Sequence, residues 1–183
     1  MTIGATVGPT EINGLPAHVL LVHVVVILVP LAAMLVVLSA VWPAARRRLG
    51  VITPLVALVA LVSVPLTTHA GEWLEARVPS SELVRRHAEL GDTLLPWAAG
   101  LFVAAAASWV LARRSAATGT ETAPARTATG PGRRVLVAVL AVLSLVVAAG
   151  SVVQVYRIGD SGAQAVWHGS FSRTPLPGDG PAR

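Results

Sequence analysis

The chain has no cysteine and no lysine, and only 4% of its residues are aromatic and 13% charged. Each shortage excludes something. Without cysteine there are no disulfides, iron–sulfur clusters, thiolate ligands or cysteine nucleophiles, so the nitrogen and sulfur ligands open to a transition metal are five histidines and two methionines. Without lysine, the formal net charge of +5 rests on fourteen arginines, most of them flanking apolar runs where they would meet lipid headgroups. Nucleic acid is therefore not an expected partner. With 54% hydrophobic residues and a mean hydropathy of +0.70, the sequence is too apolar for an ordinary soluble domain and reads as an integral membrane protein. The opening MTIGATVGPTEING has no basic segment ahead of an apolar run, so no cleavable signal peptide is expected.

What is present is a set of four apolar runs, at about residues 18–42, 51–70, 93–113 and 133–156, each long enough to cross a hydrocarbon layer of about 30 Å as a helix. The expected fold class is all-α, an integral membrane four-helix bundle. The domain runs over 17–169, with a lead-in at 1–16, a Gly/Pro-rich linker at 115–132 and a tail at 170–183. Pro30 lies inside the first span, and Trp42 followed by Pro43 marks its end. Residues 71–92 form the one sizeable charged connection, in which Ser80 is a helix N-cap and Glu82 sits in the first turn. The glycines from Gly159 to Gly162 suggest a turn after span four.

Arginine placement gives the orientation. Arg46, Arg47, Arg48, Arg113, Arg114, Arg126, Arg133 and Arg134 fall on one side with a single acid, Glu121; the other side carries six arginines and eight acids. The first side is expected to be cytoplasmic, which leaves both termini extracytoplasmic in a multi-pass protein of a plasma membrane, bacterial by its arginine-only, Ala/Val-rich composition.

With this threading His18, His23, His69, His87 and His168 all reach the same face. Imidazoles on several helices at one end of a bundle are what a metal or haem site requires. His23 is the one histidine well inside an apolar run, and an ionisable group at that depth is a functional-site hypothesis by default. It is expected to meet His87 or, failing that, His69 across the bundle. His18 and His23 lie five residues apart, about 140° around a helix, so they do not readily share one metal. Haem b would take two axial imidazoles with Arg157, Arg85 or Arg86 near its propionates. Zinc or copper would use His23, His69 and His87 with a nearby carboxylate. The bland alternative, solvated or interfacial imidazoles, holds for each histidine singly. Ser170 near His168 and Asp160 has no framing motif, so no catalytic residues are assigned.

The opening GLPAHVLLVHVVVILVPLAA resembles the start of the bacterial membrane-protein family labelled domain of unknown function 2231, with His18 and His23 at its histidine positions. The closing VYRIGDSGAQAVWHG resembles the end of that family's fourth span, so the resemblance covers about residues 14–169. Ala17 and Val24 depart from it where the family often has proline or an aromatic. The resemblance implies four spans and no activity. The functional expectation is a histidine cluster binding haem b or a transition metal for electron transfer with a membrane or extracytoplasmic redox partner. The alternative is a non-enzymatic accessory or scaffold subunit whose histidines are structural.

Overall fold

The computed structural model describes residues 9–117 and 131–175. The expected lead-in, linker and tail therefore lie partly outside the described residues. A two-stranded hairpin, β1 (Glu11–Ile12) and β2 (Leu15–Pro16), precedes α1 (Ala17–Val41), α2 (Pro43–Leu49), α3 (Ile52–Glu75), α4 (Glu82–Asp92), α5 (Leu94–Ala117) and α6 (Pro131–Trp167). Helices α1 and α3, the α4–α5 stretch and α6 are long and apolar enough to span a bilayer.

The four long helices close into a ring in chain order: α1 packs on α3 and α6, α3 on α5, and α5 on α6. On α1 the buried seam is Val25, Val29, Ala32, Val36 and Ser39, a helical repeat, while Val24, Val26, Ile27 and Met34 face outward. A helix apolar on both faces is expected in lipid, where the outer face needs no polar residues and the inner one packs by shape. The inner face is accordingly small. Ala57, Ala60, Ala98 and Ala105 line the core, and two glycines admit large neighbours: Val147 sits over Gly100, and the Trp97 ring occupies the space a Cβ on Gly150 would need.

The two ends of the ring differ. At one end Trp42 is extended, as a residue before proline must be, and α2 carries Arg46, Arg47 and Arg48 to Gly50, where φ is 47°. Ser39 and Thr53 hydrogen-bond there at 3.3 Å, joining α1 to α3. At the other end an Asn-Gly turn, with Asn13 at φ 52° and Gly14 at φ 75°, reverses the chain between β1 and β2. The hairpin then hands the Thr10 carbonyl to the amide of Ala17 at 2.9 Å, which starts α1 without a side-chain cap.

Several expectations change. Span two continues as helix through His69 to Glu75, and α4 follows, so the 71–92 connection is mostly helical. The cap of α4 is Ser81, not Ser80: its Oγ accepts the Val84 amide at 3.2 Å. The turn expected at Gly159–Gly162 is helix, because α6 runs on to Trp167. Its 37 residues are about 55 Å long, well beyond a hydrocarbon layer of about 30 Å. The excess packs against α4, where Ile158, Ser161 and Gly162 meet His87. Gln154 fixes the corner between α4 and α5 by donating to the Leu90 carbonyl at 3.2 Å and bonding the Thr93 hydroxyl.

Candidate functional site

All five histidines lie at the hairpin end of the ring, and two of them meet. His18, in the first turn of α1, and His87, in the middle of α4, have ring centroids 6.1 Å apart and planes crossed at 81°. Each ring is anchored on a different long helix. His18 Nδ1 donates to the Thr67 carbonyl of α3 at 3.0 Å. His87 Nδ1 lies 3.1 Å from the Ile158 carbonyl of α6 and 3.1 Å from Ser161 Oγ, whose own proton goes to Ile158 O at 2.8 Å. A carbonyl oxygen can only accept. In each neutral imidazole the proton is therefore on Nδ1 and the lone pair on Nε2. Neither Nε2 has a hydrogen-bond partner among the described residues.

The same backbone device makes both anchors. Thr67 O and Ile158 O are intrahelical carbonyls, and four residues on from each stands a glycine: Gly71 after Thr67, Gly162 after Ile158. In a helix, residue i+4 stands directly over the carbonyl of residue i, so a side chain there would block approach from outside. A Cβ on Gly71 would come within 2.9 Å of His18 Nδ1, and one on Gly162 within 2.9 Å of His87 Cε1. The glycines are the windows through which the imidazoles reach the carbonyls. These two glycines, with Ser161 and the two carbonyls, are the site residues that reasoning from side-chain chemistry alone overlooks. The available signal is a glycine within an otherwise helical run at the level of a histidine on another helix.

The other expected residues are placed differently. His23 faces outward, and its Nδ1 bonds the Val19 carbonyl of its own helix at 2.7 Å. It meets neither His87 nor His69. The reason is the rotation of about 140° over five residues: the buried seam of Val25 and Val29 extends back to position 18, which turns position 23 to the lipid side. His69 Nδ1 stands 3.7 Å from Glu72 Oε2 one turn along α3, and its Nε2 is buried without a partner among the described residues. His168 is exposed just past the end of α6. Arg157 lines a cleft between α4 and α6 with Arg86, while Arg85 pairs with Glu82 and Glu89. Among the described residues no three histidine or carboxylate groups converge as a metal cluster.

Residues 14–175, nearly the whole of this architecture, match the family of predicted membrane proteins labelled domain of unknown function 2231. The chain belongs to that family. No curated protein and no solved structure matches it. The family assignment agrees with the four spans and assigns no chemistry. Chemically the pair offers two neutral nitrogen lone pairs from helices that do not adjoin in sequence, each ring oriented from behind by a carbonyl. Histidines that ligate metals are commonly held in this way.

Proposed function

We propose that the chain is a membrane electron-transfer protein whose centre is a redox metal, haem b iron or copper(I), held between Nε2 of His18 and Nε2 of His87. The observation that carries this reading is the anchored pair itself. The rings lie close, with centroids 6.1 Å apart, and each has its Nδ1 engaged by a carbonyl, so one metal with bonds of about 2.0 Å would be held between them if both Nε2 atoms turn toward it. Two imidazoles complete the coordination of a haem iron, which brings four ring nitrogens of its own, and they suit copper(I). They are too few for zinc, which takes three or four protein ligands. Such a centre would cycle by one electron, and the role of the chain is to orient both lone pairs and keep the site at one end of the bundle. By the arginine excess around the opposite connections, that end faces outside the cytoplasm and both termini with it. Labelling of Thr120→Cys and Ala163→Cys by an impermeant thiol reagent in intact cells tests this: only position 163 should react.

A scaffold role has one observation in its favour, since each imidazole also bolts two helices together. The two readings separate on titration of the purified full chain with haemin, copper(I) and zinc(II). The electron-transfer reading expects about one equivalent of haemin or copper(I) bound, and weaker zinc. Binding of none of the three leaves the scaffold reading.

A further inference from the structure

The cleft between α4 and the far end of α6 is not explained by the metal site. It has a volume of about 80 Å³ and is lined by Arg86, Tyr156, Arg157, Asp160 and Gln164 among others. Two features of its lining bear on what it holds. Arg85, next to Arg86, is engaged by Glu82 and Glu89, whereas Arg86 and Arg157 have no carboxylate within ion-pair distance among the described residues. The one acid in the cleft, Asp160, already accepts from Gln164 Nε2 at 2.8 Å. Two unpaired guanidinium groups from facing helices therefore converge on one small space, an arrangement suited to a tetrahedral oxyanion.

Its level in the bundle says which oxyanion. Outward-facing Val152 and Val153 end the apolar face of α6, and Tyr156, 74% exposed, with Arg157 begins the polar one, as at a headgroup boundary. A space of about 80 Å³ holds several waters, room for a phosphate but not for a lipid's chains as well. We infer that this cleft binds the phosphate of a glycerophospholipid, whose acyl chains run down the exposed valine face of α6 while Arg86 and Arg157 clamp its oxygens and tie α4 to α6. The assignment does not depend on the metal centre.

The test uses the full chain in detergent, prepared without added haem, measuring thermal stability and lipid retained by native mass spectrometry with phosphatidylglycerol, phosphatidylcholine or inorganic phosphate added. Phosphatidylglycerol should be retained and should stabilise the protein. Arg86→Gln with Arg157→Gln should weaken retention at least tenfold, and Arg85→Gln should leave it unchanged. Should the double variant fail to fold, Asp160→Asn serves instead, and removing the one acid should raise retention several-fold. Stabilisation by inorganic phosphate alone, lost in the double variant, would keep the site and overturn the lipid as its source. Retention unchanged in the double variant, lowered by Asp160→Asn, or absent from the wild type would overturn the proposal. So would displacement of the lipid by haem loading, which would give the cleft to a propionate.

Discussion

The apolar core of the bundle and the polar contacts at its histidine end hold it together by different physics. In the apolar core, α5 and α6 touch through Trp97 on Gly150 and Val147 on Gly100, and the ring closes on alanines. Water is absent from both the folded and the separated state of helices in lipid, so shape and dispersion decide the contact. At the histidine end the contacts are polar and directional: His18 on Thr67, His87 on Ile158 and Ser161, Gln154 on Leu90 and Thr93. Glycine serves both regions for opposite reasons. Gly150 makes room for a ring to fill a volume, and Gly71 and Gly162 make room for a ring to find a carbonyl. A substitution in the first set should cost stability, and one in the second should cost ligand.

The largest effect on stability is expected from Gly150→Ala, because the added Cβ would fall within the bulky Trp97 ring, which is itself packed against the core. Overpacking of this kind costs about 1–3 kcal/mol and sometimes more. Thermal unfolding in detergent should show it, and Trp97→Leu placed in the same chain should restore much of the loss. An unchanged midpoint for Gly150→Ala would break the contrast at its strongest point.

Gly162→Ala and Gly71→Ala should behave the other way round. Each new methyl meets only an imidazole, which can swing aside at the loss of one hydrogen bond, about 0.5–1.5 kcal/mol. Binding of haemin or copper(I) should nevertheless fall at least tenfold, since the ring no longer presents Nε2 in place. Equal losses of stability and binding in these variants would mean that the two regions do not differ.

Much of the fold could be read from the sequence because lipid imposes long apolar runs, and Trp42-Pro43 punctuates one of them visibly. The end of α6 could not. Gly159 and Gly162 are turn formers in isolation, yet both are helical where α6 runs on beside α4. The hairpin carried a readable Asn-Gly signal ahead of α1, but the strands are two residues each and leave no alternation to notice. For the site, the five-residue spacing of His18 and His23 stated that the two point apart, without stating which points inward. Hydrophobicity favoured His23. The seam of Val25 and Val29 would have favoured His18, since counting back in turns from a buried seam fixes the inward face when every residue nearby is apolar.

The smallest effect is expected at His23 itself. His23→Leu removes a ring bonded only to its own helix and keeps an apolar residue on the lipid face, so stability should change by no more than about 0.5 kcal/mol. A larger loss, read as a shift in the unfolding midpoint, would mean that the outward histidine contributes to packing.

If His18 and His87 bind one metal through Nε2, His23 takes no part. That pairing is tested most directly by the cofactor bound per chain in His87→Asn and His23→Leu proteins loaded under the same conditions as the wild type. Asparagine keeps a donor near Nδ1, able to reach the Ile158 carbonyl, but has nothing at Nε2. His87→Asn should stay folded and lose at least tenfold of its bound haem or copper, while His23→Leu should retain the full amount. Full occupancy in His87→Asn together with loss in His23→Leu would contradict the pairing.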